Sequence, residues 1–145
     1  MEKLHLYLVR HCESLGNREN IFQGQLDLDI SATGEKQLAL LALRFRNIPI
    51  DAVYSSPLKR AYKTAEAVDL YHSLPIIKLP ELMEVDVGAL SGMKLDKAFA
   101  DYPVFAEKWQ NSPQNCIFPE GETTAEVYDR AKKALARVKA DCMGK

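Results

Sequence analysis

Arg10 and His11 form the first pair of side chains in this chain that could do chemistry. A guanidinium carries a permanent charge and a planar fork of donors that suits phosphate. An imidazole changes protonation near neutral pH and can serve as nucleophile or base. The pair closes the run Leu4-His5-Leu6-Tyr7-Leu8-Val9, whose length and near-continuous apolarity predict a strand covered on both faces. Ligands in open α/β sheets collect beyond the carboxyl ends of the strands, and Arg10 and His11 would stand at that edge. The other reading is a strand running into an ordinary polar loop, and this fragment leaves both open. His5 reads as a histidine on a partly covered strand.

A second basic pair, Lys59-Arg60, follows Ser56-Pro57. Serine as N-cap with proline at the first helical position predicts a helix start there, with the helix running to about residue 71 and burying Ala61, Ala65 and Val68. Asp51–Ser55 before it reads as a second strand, so Arg60 falls in the first helical turn at the strand's carboxyl edge. Cations gain nothing from the dipole at a helix N-terminus. The pair therefore serves an external anion or is simply solvated, and the local sequence leaves both open.

The elements that must position these groups follow from the rest of the 145 residues. That length predicts one domain. The net charge of −1 provides no basic field for nucleic acid or acidic membrane. No apolar run approaches the ~20 residues of a membrane span, and the chain enters its first strand without a signal-peptide pattern. Three cysteines without framework spacing suit a reducing, cytoplasmic setting. No zinc-like Cys/His spacing occurs, and no cofactor is expected.

Residues 12–31 read as a long functional loop. Ser31 then caps a helix to about Arg46 with a stripe of Leu38, Leu41, Ala42 and Phe45. Pro75–Pro80 reads as a third strand, and residues 81–92 as a structured loop. Residues 95–111 read as two helices broken at Pro103, with Phe105 and Trp109 as packing. Phe118–Glu122 reads as a turn. Thr123 to Glu126 matches a capping box opening a helix that buries Val127, Ala131, Ala134, Leu135 and Val138. The pattern predicts an α/β fold of three layers, a mostly parallel sheet flanked by helices. It breaks off where a further strand would follow, so the chain is expected to be shorter than the domain it encodes. An exposed sheet edge would then offer a dimer contact.

Taken together, the pieces resemble the histidine phosphatase superfamily, the phosphoglycerate-mutase-like enzymes. They are Leu8–Ser14 with Asn17, then Phe22-Gln23-Gly24 with Asp27 and Leu28, then Ser31–Gly34. Tyr54–Ala61 with Thr64-Ala65, Glu81–Glu84 with Gly88 and Gly92, and Pro119–Thr123 complete the set in the family's order. The resemblance resolves both open questions in favour of function. It implies phosphomonoester hydrolysis through a phosphohistidine on His11, with Arg10 and Arg60 holding the phosphoryl oxygens. It implies Asn17 as a further donor, Glu84 as proton donor, and Gln23 and Gly24 in a substrate-contacting loop. It implies a small phosphorylated substrate and no metal. The short insert at residues 93–118 resembles the cap of the phosphatase branch rather than that of the mutases.

Two departures stand out. Cys12 replaces the family's glycine after the histidine. The second histidine, on a strand after the last helix, is missing, since His5 and His72 lie elsewhere in the pattern. The chain is therefore expected to carry most of a phosphate pocket, to lack C-terminal strands, and to turn over weakly or not at all. Three alternatives follow: a phosphoglycerate-mutase-type phosphotransferase, an inactive fragment that binds phosphoryl ligands, and a cysteine-dependent phosphatase using Cys12 and Arg18. Against the last, Glu13 would put a negative charge inside the phosphate cradle.

Overall fold

The computed structural model describes residues 3–144. A short helix α1 (Leu15–Arg18) is followed by α2 (Ala32–Phe45), strand β1 (Val53–Ser55), α3 (Lys59–Asp69) and strand β2 (Ile76–Lys78). Then come α4 (Leu95–Asp101), α5 (Pro103–Asn111) and the long α6 (Thr124–Cys142). The two strands pair in parallel with Val53 opposite Ile76 and Ser55 opposite Lys78. Among the described residues, no helix is long and apolar enough to cross a membrane.

The caps read from sequence explain three helix starts. Ser31 accepts from the Gly34 N–H at 3.0 Å and opens α2. Thr123 and Glu126 form the reciprocal capping box of α6. Pro103 separates α4 from α5, because it cannot donate to the preceding turn. One start differs. Ser56 and Pro57 lie outside α3, which begins at Lys59. The Ser56 hydroxyl accepts from the Leu58 N–H at 3.2 Å. The cap comes instead from Asp27, whose Oδ1 accepts the Lys59 N–H at 2.7 Å. A carboxylate from a distant loop thus meets the positive end of α3, which local sequence could not disclose.

Two other expectations are corrected. Residues 4–9 form no ladder, and Leu8 is 92% exposed. Apolarity shows that a segment needs cover, whereas a strand also needs a neighbour for its N–H and C=O groups. One edge of β1 is taken by β2, and a cavity lies between Leu8–His11 and the residues of β1. The Tyr7 ring, edge-on to Phe45 at 5.8 Å, packs the segment against α2. In α6 only Ala134 is buried, while Ala131 and Leu135 of the expected stripe are exposed. Helical periodicity gives the stripe, but nothing in the described residues covers its full width.

The packing falls into two parts. Around α2, α3 and β1 the buried residues include Ala42, Phe45, Val53, Ala65 and Val68. A second cluster joins Phe22, Val87, Leu90, Ala98, Phe105, Cys116 and Phe118. Trp109 packs here, edge-on to Phe22 and Phe118, as a wall residue rather than part of a binding cage. The loops 86–88 and 119–121 meet so closely that a Cβ on Gly88 would lie 2.2 Å from the Pro119 carbonyl oxygen. Gly88 also has φ of +52°, so any side chain there would be strained as well as crowded.

Candidate active site

The cavity beside β1 measures about 570 Å³, and Arg10, His11, Arg60 and Glu84 all line it. Three stretches of chain distant in sequence, at residues 10–11, 60 and 84, are therefore gathered on one hollow.

His11 sits where the 3–10 segment turns into the loop before α1. Its Nδ1 lies 2.6 Å from the Cys12 carbonyl oxygen, which can only accept. Nδ1 must therefore carry the hydrogen, and the neutral ring keeps its lone pair on Nε2. Burial holds the imidazole below its ordinary pKa. The Cys12 carbonyl opposes that, Arg60 and Arg10 lower it further, and Glu84 pulls the other way. The net result is an unprotonated ring at neutral pH, the form a nucleophile needs. Thr64 fixes this turn to α3: its hydroxyl accepts the Cys12 N–H at 3.0 Å and donates to the Arg60 carbonyl at 2.7 Å.

Arg60 is 2% exposed, an unusual place for a charge. Its Nη1 donates to the Leu26 carbonyl at 2.8 Å and its Nη2 to the Gly24 carbonyl at 2.6 Å. Among the described residues, no carboxylate lies within 4.0 Å of it, and burial lowers its pKa. Glu84 and Asp27 act on it only at longer range, so a guanidinium hydrogen-bonded to two carbonyls keeps positive charge to offer an incoming anion. Arg10 is exposed and lines the same cavity.

Glu84 follows a 3-10 turn at Pro80–Leu82 and is exposed. Its Oε1 accepts the Val85 N–H at 2.9 Å. Its carbonyl accepts from Gln25 Nε2 at 3.2 Å and from Arg130 Nη2 at 3.0 Å.

The remaining expected residues do not line the cavity. Asn17 closes the cap of α1: its Oδ1 accepts from the Ser14 N–H at 3.0 Å and from the Ser14 hydroxyl at 2.9 Å. Gln23 is buried, and its Oε1 lies 2.7 Å from the Ser14 hydroxyl. Gly24 has φ of +51°, and a Cβ there would lie 2.7 Å from the Val87 side chain. Its carbonyl is one of the two that hold Arg60.

The Cys12–Arg18 alternative finds no assembled cradle. Cys12 is buried with its Sγ toward Gly34, and burial pushes its thiol pKa up, away from a reactive thiolate. Arg18 is exposed and paired with Glu19 at 3.1 Å. Cys12→Ser should therefore leave covalent phosphate capture within about threefold of the parent, since no thiolate is used. A loss of a hundredfold would reinstate the cysteine reading.

Sequence reasoning missed three supports: Thr64 as a bridge, Asp27 as the cap of α3, and the Arg130–Glu122 pair behind Glu84. All are contacts between segments far apart in sequence. Only the residue types, a Thr facing inward and an Arg–Glu pair near a turn, gave any hint.

A phosphoglycerate-mutase-like α/β domain with an imidazole and two guanidiniums on one hollow is the class this arrangement defines. Residues 6–145 match the model of the histidine phosphatase superfamily (branch 1), and the chain belongs to that superfamily. It is 40% identical over 134 residues to phosphoserine phosphatase 1 of Hydrogenobacter thermophilus, covering 92% of this chain and 64% of that protein. It is 35% identical to the uncharacterized phosphatase PhoE of Bacillus subtilis, covering 90% of this chain and 62% of the relative. Among solved structures, Bacillus stearothermophilus YhfR superposes with a TM-score of 0.87 at 27% identity, over 93% of this chain and 67% of that one. The chain thus spans less than two-thirds of the length of these curated relatives.

Proposed function

We propose that this site hydrolyses a small phosphomonoester through a phosphohistidine on His11. The observation that carries the reading is the His11 tautomer: Nδ1–H is tied to the Cys12 carbonyl, leaving a lone pair on Nε2 in a cavity shared with Arg10, Arg60 and Glu84. Nε2 attacks phosphorus, the bond from phosphorus to the ester oxygen breaks, and protonated Glu84 delivers a proton to the leaving oxygen. Glu84, now a carboxylate, takes a proton from water as its oxygen attacks phosphorus. The P–N bond breaks and its electron pair returns to Nε2. The guanidiniums of Arg10 and Arg60 balance the charge on the equatorial oxygens, and Asn17 holds the α1 cap behind the His11 loop. Gln23 and Gly24 shape the loop that holds Arg60, and residues 93–118 form the cap that selects the substrate. Phosphoserine, the substrate named for one relative, is the first compound to try.

Incubation with a labelled phosphomonoester or phosphoramidate should leave acid-labile, alkali-stable phosphate on His11. Label on any other residue, or none, overturns the reading. A second reading, phosphoryl-ligand binding without turnover, has its own support. Of the other two histidines, His5 is exposed and His72 sits with Nε2 2.8 Å from the Phe45 carbonyl oxygen, so neither reaches the cavity. Weak turnover beside firm phosphate capture is therefore expected, and mutase-type transfer to a second substrate is the remaining alternative.

Glu84→Gln separates the proton role from binding. Transfer from an alkyl phosphate and hydrolysis of the phosphoenzyme should both slow by about 10²- to 10⁴-fold. Transfer from p-nitrophenyl phosphate, whose leaving group needs no proton, should change little. Equal losses with both esters would remove Glu84 from the proton path.

A further inference from the structure

The loop that carries Glu84 has little regular structure of its own, yet a side chain from the last helix grips its backbone at three points. Arg130 of α6 donates through Nη1 to the Glu81 carbonyl at 2.9 Å and the Met83 carbonyl at 2.5 Å, and through Nη2 to the Glu84 carbonyl at 3.0 Å. Its Nε and Nη2 also bond the two oxygens of Glu122 at 2.8 Å each. All five guanidinium N–H groups are thereby used. Glu122 Oε2 in turn accepts the Asp86 N–H at 2.8 Å, clasping the loop on the far side of Glu84.

We propose that Arg130, locked by Glu122, is a positioning residue that sets where the Glu84 carboxyl stands relative to His11. The inference rests on the phosphohistidine reading above. Arg130 does not line the cavity and so cannot touch substrate. Its side chain is only 17% exposed, and a guanidinium at that depth is costly unless every donor is satisfied. A lysine could reach at most three of the five acceptors and would lose the planar fork. Burial of the pair alone would not require contacts to three carbonyls within the four residues that end on the proton-transfer residue. The Arg130 charge also holds the Glu122 carboxyl below its usual range, so the clasp stays ionised across neutral pH.

The test loads the full chain with phosphoramidate and follows decay of the acid-labile phosphate. Arg130→Gln should load at the parent rate within about twofold and lose phosphate about 10- to 100-fold more slowly, as misplacement of a catalytic group would cause. Arg130→Lys should fall between. In a Glu84→Gln background, Arg130→Gln should add nothing, because its effect passes through that carboxyl. Glu122→Gln is smaller and slows decay in the same direction, and it carries the test if Arg130→Gln does not fold. Decay unchanged in both variants, loading and decay falling together, or further slowing in the Glu84→Gln background would each overturn the proposal. Failure of the unaltered chain to label on His11 would overturn the phosphohistidine reading itself, and the positioning role with it.

Discussion

Replacing His11 with asparagine is expected to reduce covalently bound phosphate to background and any turnover by at least about 1,000-fold. The asparagine amide can still donate to the Cys12 carbonyl, so the turn and the Thr64 bridge survive while the lone pair on Nε2 disappears. The parent should show a distinctive pH dependence. Burial first, then Arg60 and Arg10, hold the imidazole below its ordinary value of about 6.5. The acid limb of the loading profile should therefore have its midpoint below about pH 6.5. The sign for stability is the same. Below that ordinary value the unfolded chain binds a proton that the folded site resists, so folding loses stability as pH drops. Melting temperatures of parent and His11→Asn measured across pH 5 to 8 should diverge in that sense, with the variant losing less at the acid end. An acid limb lying above about 7 would contradict the burial argument.

Arg60→Met is expected to give the second-largest loss, about 10²- to 10³-fold in the loading rate, with vanadate or phosphate affinity falling alongside. The stability change should be small by comparison. Losing the guanidinium strands the Gly24 and Leu26 carbonyls, at about 1–3 kcal/mol each. It also removes a buried charge with no carboxylate beside it, whose desolvation costs several kcal/mol. The two effects oppose, and we expect a net change below about 2 kcal/mol by denaturant titration. Arg60→Lys should not restore loading, since one ammonium cannot hold both carbonyls and the phosphoryl group in a fork. A variant that keeps parental loading would show that the buried charge serves structure alone.

The helices were legible because their signals are local. Ser31, Pro103 and the Thr123–Glu126 box each act within one turn, and α2, the α4–α5 break and α6 appear where those residues place them. The order of motifs was likewise enough to collect Arg10, His11, Arg60 and Glu84 as one candidate set. Pairing and cover were not legible. Leu4–Val9 has the composition of an interior strand yet stands unpaired among the described residues, and Ala131 and Leu135 of the α6 stripe stay exposed there. The start of α3 shifted because its cap is Asp27, a carboxylate from another loop.

Sequence by itself determined the chemistry available here: an imidazole at 11, guanidiniums at 10 and 60, a carboxyl at 84, and a family order that names their class. Tertiary structure decided what each of them is ready to do. The Cys12 carbonyl selects the imidazole tautomer, the carbonyls of Gly24 and Leu26 hold the Arg60 charge without neutralising it, and Arg130 with Glu122 grips the strip of backbone bearing Glu84. The physical reason is range. Residue type and spacing act over a few positions of chain, whereas protonation state and aim depend on which distant dipoles and charges folding brings within about 3 Å.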